Sequence, residues 1–499
     1  MTQEQKNTPN ALSAAVKAMQ PAIEKCRVLD GGWAALQASS TEYLPKHPEE
    51  KDSNYLIRLN RPVHFNAYTR SVDGLTGLVF RRDPVLAEDV GKDIEALWEN
   101  IDYHGTHGAV FCKALFREAL VAGRTYLMVD GPQVTREMSL GEEREMGLRP
   151  YWVHYRVDEE RNREYAYVNG KLVLRRIVFE VTSYVPDGEF GDREESVWRV
   201  FRLDNDLETV RWEQWKKNDK EVYYKDAEGV LNNVTEIPIA VVYGRKLGPF
   251  MSKPPLEDLA DQNLLFYQTS SDYHHAAHIA NVPVPFLKGF DEDANKITWG
   301  PNATLIGPEG SDAKWLETSA SALGHTRTML EDIKGNMATL GLNMLAREKR
   351  AAETATARRI DKAEADSALG AIARSLEDAI ELALGYTAQF LKSKSGGGSI
   401  EVNRDYEEQQ LTPQEIQVYS QLVASGQLSL ETMWKMLEAG EILPPDFDPE
   451  LERVNLESDM GDFSDTQDKE GLQGNQPQDG QAPGDLQDQG GSGSGAQAA

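Results

Sequence analysis

Two stretches of the chain carry residue types that could do chemistry at a useful spacing. The first is HHAAH, residues 274–278. On a helix, His274 and His278 lie four apart and share one face, as paired imidazole ligands of zinc do. A zinc protease also needs a glutamate base beside the first histidine, but His275 stands there, and no third ligand is evident in the sequence. Polar residues at a helix–helix contact are the plainer reading. The second is AREKRAAETATARRIDKAEADSALG, residues 346–370. Within 346–362, Arg347, Lys349, Arg350, Arg358, Arg359 and Lys362 face only Glu348, Glu353 and Asp361. Such a cluster can make salt-sensitive phosphate contacts that read no bases, or it is an ordinary solvated face.

Nothing else in the chain looks catalytic. There is no G-x-x-x-x-G-K-[ST] phosphate loop, which argues against a P-loop ATPase. GGGS at 396–399 lacks a following lysine and reads as a linker, and there is no G-x-S-x-G elbow. Asp291 and Asp293 fit a solvated turn. The expectation is a protein with no catalytic residues, no metal and no cofactor.

The composition sets the frame for that reading. At 499 residues the chain can bury a sizeable core in two or three units, and 40% hydrophobic with 27% charged residues is typical of soluble globular proteins. MTQEQKNTPN has no apolar segment of a secretory signal, and no apolar run approaches the roughly 18 residues of a membrane span. Cys26 and Cys112 cannot build a disulfide framework, so synthesis in a reducing cytoplasm is expected. With 81 acidic and 53 basic residues the formal net charge is −28. That excess argues against tight coating of nucleic acid and is compatible with a duplex held loosely. Alone, it says no more than solubility.

Periodicity supplies the elements. Residues 10–30 read as helix from Leu12, Ala15, Met19, Ile23 and Cys26, with Pro21 leaving one kinked helix or two shorter ones open. Pro84 closes a further helix, and LAEDVGKDIEALWENI reads as an amphipathic one carrying Val90, Ile94, Leu97 and Trp98 on one face. VFCKALFREALVAG is a helix ended by Gly123, and TYLMVD after it is a buried strand. From Pro150 to Gly244 short β runs dominate, with VNGK a hairpin turn. A helix of roughly 25 residues then runs between Pro254-Pro255 and Pro283, followed by a short β segment.

A second long helix, from about Ser319 to Ala346, places Leu323, Thr326, Leu330, Ile333, Met337, Leu340 and Met344 on a heptad-like seam suited to other long helices. After the basic segment a third helix runs to about Leu391, with Leu369, Ile372, Leu376, Ile380, Ala383, Thr387 and Leu391 on one stripe. SIEVNRD is a short strand, and two small glycine-closed helices follow. Beyond about Ser458 the chain has almost nothing apolar and is expected to be disordered.

The order helix, small β segment, helix, basic loop, long helix resembles the portal (head-to-tail connector) proteins of tailed bacteriophages. The resemblance runs from about Gly31 to Asn455. Its telling pieces are YLPKHPEEKDSNYLIRLNRPVHFNAYTRSVDGLTGLVF, PPLEDLADQNLLFYQTSSDYHHAAHIANVPVPFLKGF, WGPNATLIGPEG and ETATARRIDKAEADSALGAIARSLEDAIELALG. It implies an α+β portal-like fold. Residues 1–250 form a mixed wing, 251–280 and 318–345 are the stem helices, and 281–317 the β-containing clip. The tunnel loop is 346–354, the wing's spine helix and strand 355–410, the short helical crown 411–457, and the disordered acidic tail 458–499.

It further implies a structural, non-enzymatic ring, usually a dodecamer, at one capsid vertex of the virion and made in the host cytoplasm. Double-stranded DNA passes through such a ring in packaging, retention and ejection, without sequence specificity. Arg347, Lys349 and Arg350 are the expected DNA-facing residues. Implied partners are the terminase large subunit, the major capsid and scaffolding proteins, and head-completion or tail adaptor proteins, with no membrane. The competing readings are a metal-dependent hydrolase using HHAAH and a non-ring interaction scaffold. Deleting residues 459–499 is expected to leave the assembly intact, as read by native mass measurement; loss of assembly would show a structural element in that tail.

Overall fold

The computed structural model describes residues 8–132 except 63, 142, 146–281 except 219, 284–288, 309–316, 321–341, 355–404 except 395, 413–439, 442–443 and 447–455; for 279, 284–285, 287, 313, 315–316, 321–322, 355–367, 413–415 and 439 it describes the backbone alone. In chain order the first elements are α1 (Ala14–Asp30), α2 (Gly32–Ser39), α3 (Asp52–Asn60), α4 (Ala67–Val79), β1 (Val85–Leu86), α5 (Lys92–Glu95) and α6 (Gly108–Ala122). The strands β2 (Arg124–Asp130), β3 (Tyr151–Arg156), β4 (Glu160–Val168), β5 (Lys171–Asp187), β6 (Gly191–Leu203), β7 (Val210–Lys217), β8 (Tyr223–Leu231), β9 (Ile239–Tyr243), β10 (Lys246–Gly248) and β11 (Met251–Ser252) follow. Then come α7 (Glu257–Ala280), β12 (Val284–Lys288), β13 (Asp312–Leu316), α8 (Ser321–Leu340), α9 (Ala355–Leu391), β14 (Ile400–Glu401), α10 (Pro413–Ala424) and α11 (Leu430–Ala439). The chain divides into two compact units, residues 1–406 and 407–499.

The first unit is organised around β2, the central strand of the antiparallel sheet β3-β2-β9. Every residue of β2 is buried, and its side chains alternate between two cores. Leu127 and Val129 join a helical core with α6 and α9, whereas Tyr126 and Met128 join a second core with strands β5 to β8. That second core is covered by the antiparallel meander β4-β5-β6-β7-β8. The Tyr155 and Phe179 rings stack across the gap with centroids 4.2 Å apart. The layers are therefore helices, a three-stranded sheet and a five-stranded sheet.

The stripe expected on α9 is the one that packs. Leu369, Ile372, Leu376, Ile380, Ala383 and Thr387 are buried. Thr387 also accepts a hydrogen bond from the Trp152 indole at 3.0 Å, tying α9 to β3. α1 runs unbroken through Pro21, because Met19, Ile23, Cys26 and Leu29 anchor both sides of it in the core. Gly123 ends α6 at φ 84°, where a Cβ would sit 2.6 Å from the Lys253 backbone. The VNGK turn has Asn169 and Gly170 at φ 52° and 81°, as a tight hairpin requires.

The amphipathic helix expected over 86–101 is shorter in the structure. Only α5 and a 3-10 turn at Trp98–Asn100 form, although Val90, Ile94, Leu97 and Trp98 are all buried. The preceding segment is held instead by the chain after α9: β1 pairs with β14, and Asp89 accepts bonds from the Ser399 amide and hydroxyl at 2.9 and 3.0 Å. In the second unit α10 and α11 pack together, the Ser429 hydroxyl caps α11 by accepting from Thr432 N, and Trp434 meets Phe447 edge to face. No helix among the described residues is long and apolar enough to cross a membrane.

Charge is buried between the layers and neutralised there. The Arg124 and Glu160 side chains are both 0% exposed and paired. Glu160 also takes the Tyr126 hydroxyl at 2.6 Å and pairs with Arg163. Removing one member leaves the others desolvated without compensation. Glu160→Ala is expected to lower unfolding stability by about 3–5 kcal/mol in urea denaturation; a loss under about 1 kcal/mol would show that water replaces the carboxylate.

Candidate functional site

Two of the places singled out from the sequence, the HHAAH helix and the heptad seam, belong to one structural group formed by α7, α8 and their contacts. α7 buries Leu259, Ala260, Asn263, Phe266, Tyr267, Ser270 and Ser271, a continuous helical stripe with three polar members. Asn263 accepts from Tyr68 N at 2.9 Å and donates to the Phe65 carbonyl at 3.0 Å. Ser271 donates to the Arg58 carbonyl at 2.8 Å. These bonds fix α7 against the chain from α3 to α4, because each polar side chain would otherwise be buried unpaired.

Arg58 is the strongest part of that contact. Its side chain is 2% exposed and that of Glu50 8%. Nε and Nη2 each donate to a Glu50 oxygen at 3.0 Å, Nη2 donates to the Pro45 carbonyl at 2.6 Å, and Nη1 reaches Asp272 on α7 at 3.2 Å. These hydrogen bonds from Arg58 hold the Glu50 carboxyl down at about 2. No periodic signal marks this clamp. HPEEKDSNYLIR, with a glutamate placed before a helix that carries an arginine, was its only trace.

α8 packs antiparallel to α7. Near its C-terminal end the Lys334 ammonium lies over the Phe65 and Phe266 rings at 5.3 and 5.5 Å. The expected seam is divided by this packing. Leu330, Ile333 and Met337 are buried in the chain's own helical core, each burial worth roughly 1.5–3 kcal/mol. Leu323 and Thr326 are half-buried, Leu340 is exposed, and Met344 lies outside the described residues. The seam thus serves intrachain packing at its middle, and most of the N-terminal half of α8 is solvated, Met329 included.

Gly341, directly after α8, rests on α4, where a Cβ would come within 2.6 Å of the Ser71 hydroxyl. The chain therefore enters the basic segment from a fixed point. Arg347, Lys349 and Arg350 lie outside the described residues. Arg358 and Arg359 fall on the first turns of α9, whose side chains there are likewise outside. Most of the clip expected at 281–317 also lies outside; its described parts, β12 and β13, form an antiparallel ladder from Val284↔Leu316 to Lys288↔Asp312.

α7 has four carboxylates and neither lysine nor arginine. Glu257 pairs with Lys25 and Lys253, Asp261 with Lys25, and Asp272 with Arg58 and His47. Its acidity is therefore largely neutralised within the chain. His274 has its Nδ1 against the Ser270 carbonyl at 2.7 Å, a bond back along its own helix, and His278 is exposed. His275 is pushed down by burial and the nearby Arg61. Among the described residues no group of three His, Cys, Asp or Glu side chains converges as a metal site.

Residues 255–391, from just before α7 to the last residue of α9, match a family described as a domain of unknown function (DUF4055). No curated protein matches the chain. Among solved structures it is similar to the neck of an empty GTA particle computed with C6 symmetry, at 14% identity over 82% of this chain and 98% of that one, with a TM-score of 0.40. It is also similar to the neck of a native GTA particle computed with C12 symmetry, at 12% identity over 83% and 99%, with a TM-score of 0.38.

The clamp gives a pH-dependent prediction. Because the Glu50 carboxyl is depressed from 4.5 to about 2, its contribution is complete above pH 4.5 and is lost as pH falls toward 2. Arg58→Ala should cost about 3–5 kcal/mol at pH 7 and should flatten the decline in stability between pH 4.5 and 2. Denaturation midpoints across that range check it; equal pH slopes in both proteins would remove Glu50 from the account.

Proposed function

We propose that the chain is a portal-type subunit. It forms a closed ring at one capsid vertex, through which double-stranded DNA enters, is retained and later leaves. The observation that carries this reading is the arrangement of α7 and α8. Gly341 seats the C-terminal end of α8, the Arg58 clamp holds α7 past its middle at Asp272, and the β12–β13 hairpin lies at the far end with the solvated part of α8 on that side. A helix with so much of its surface in water is incompletely packed in a single chain. Neighbouring copies set around an axis would cover it, including Leu265 on α7 and Met329 on α8.

The sequence resemblance supplies the rest of the reading. Residues 1–250 act as the wing, 281–317 as the clip that docks the terminase large subunit and later the adaptor proteins, and 411–457 as the crown. The capsid and scaffolding proteins surround the ring. The family match over 255–391 supports treating the helix pair, the basic segment and α9 as one module. The role is structural, with ATP hydrolysis left to the terminase. Arg347, Lys349 and Arg350, leaving the Gly341 seat, would give each copy a small cationic contact with passing phosphate. Its range is about one Debye length, roughly 8 Å at physiological salt.

Two measurements test this. Negative-stain imaging and native mass of the full chain should show a closed ring of about twelve copies by family resemblance; a monomer at high concentration in several salts would overturn the reading. The triple variant Arg347→Glu, Lys349→Glu, Arg350→Glu should still form rings but package or retain DNA differently, with the difference growing as salt is lowered. Unchanged packaging and retention at every salt concentration would reduce the cluster to a solvated face.

A further inference from the structure

Two β-hairpins of the first unit carry exposed surfaces of opposite chemistry. The first is the far half of β5–β6. β4 pairs with β5 only as far as Phe179, and β7 pairs with β6 only from Trp198. From Val181↔Val197 to Asp187↔Gly191 the two strands therefore pair only with each other. Two strands alone are marginal in water. This arm, residues 180–197, has six carboxylates against one arginine. Phe190 at its tip is 93% exposed. The side chains of Asp187, Glu189 and Asp192 beside it have no partner among the described residues.

The second hairpin is GRKLGPFMSK, residues 244–253, containing β10 and β11. It has three cations and no carboxylate. The Arg245 side chain is exposed and has no partner among the described residues, Lys246 lies over its own Tyr243 ring at 4.8 Å, Lys253 pairs with Glu257, and Leu247 is 60% exposed. An exposed apolar residue beside exposed cations suits an exposed phenyl ring beside carboxylates that have no ion-pair partner.

These two surfaces cannot meet within one chain. Phe250 in the basic hairpin stacks on Tyr165, which sits opposite Leu174 near the start of β5. The acidic tip is at the other end of that strand. At about 3.3 Å per residue, the path from Leu174 to Asp187 is roughly 40 Å. Complementary surfaces at opposite ends of one sheet are satisfied only head to tail, between copies.

We propose that the acidic β5–β6 arm of one copy docks on the basic β10–β11 hairpin of the next, with Phe190 against Leu247. The inference rests on the ring reading and adds to it a particular contact between adjacent copies. A second copy is the favoured occupant because this chain itself carries the matching basic and apolar surface. A different basic protein gripped by the arm is the alternative that the test separates.

The test uses the full chain. Cys26 and Cys112 are buried, so introduced cysteines report alone. Phe190→Cys combined with Leu247→Cys should give a disulfide-linked ladder of copies under mild oxidation, and neither single variant should go beyond a dimer. The arm variant Asp187→Lys, Glu189→Lys, Asp192→Lys should raise the concentration needed for assembly about tenfold or more, as should Arg245→Glu with Lys246→Glu. Combining both sets should return assembly to near the wild-type range. Circular dichroism checks that each variant is folded. If wild-type rings form but no ladder appears and the reversals leave assembly unchanged, this contact is overturned and the ring reading stands. The same holds if the arm variant assembles normally and loses only a basic partner protein. A wild-type chain that never assembles overturns both.

Discussion

A buried guanidinium holds the most informative part of this molecule together. Arg58 directs its donors to one carboxylate, one backbone carbonyl and a second carboxylate on α7, so that the loop carrying Pro45 and Glu50 and the helix carrying Asp272 meet on one side chain. A charge taken out of water so completely is tolerable only while all its partners stay in place. The position of α7 is thus set with little freedom. α8 follows because its buried side chains close on the same core, and the Gly341 seat follows from α8. The entry point of the basic segment is the last link in this chain of constraints.

The platform beneath is stiff for a different reason. β2 has no solvent face, so it has no side on which substitutions are cheap. The ion network around Glu160 occupies the boundary between the sheet layers, where an apolar residue would also fit but an unpaired charge would not. Specific polar contacts at such a boundary favour one register of the layers over its neighbours.

Periodicity made the long elements legible. The α9 stripe, the buried β2 and the VNGK turn each follow from a spacing or a residue pair that has one good solution. The helix expected around Ile94 was not legible: its apolar spacing is real, but a long-range strand pair and Asp89 capture that segment. The heptad seam was legible as apolar and ambiguous as to partner, since periodicity does not say whether the neighbour is the same chain or another. The Arg58 clamp left almost no trace, because ion pairs between segments distant in sequence have no period. Both sides of that contact nevertheless lie in the two longest stretches that carried the family resemblance, 43–80 and 254–290, which the structure brings face to face.

The double membership of β2 also governs how the first unit can come apart. A layered protein usually has a plane along which one layer slides off another while both remain intact. Here the strand that closes the helical core is the same strand that closes the β core, and it is hydrogen-bonded on both edges. A pull on the helices is therefore carried into two backbone ladders loaded together in shear. Helices and sheet should yield as a single mechanical body, with the β2 amides among the last to exchange with solvent.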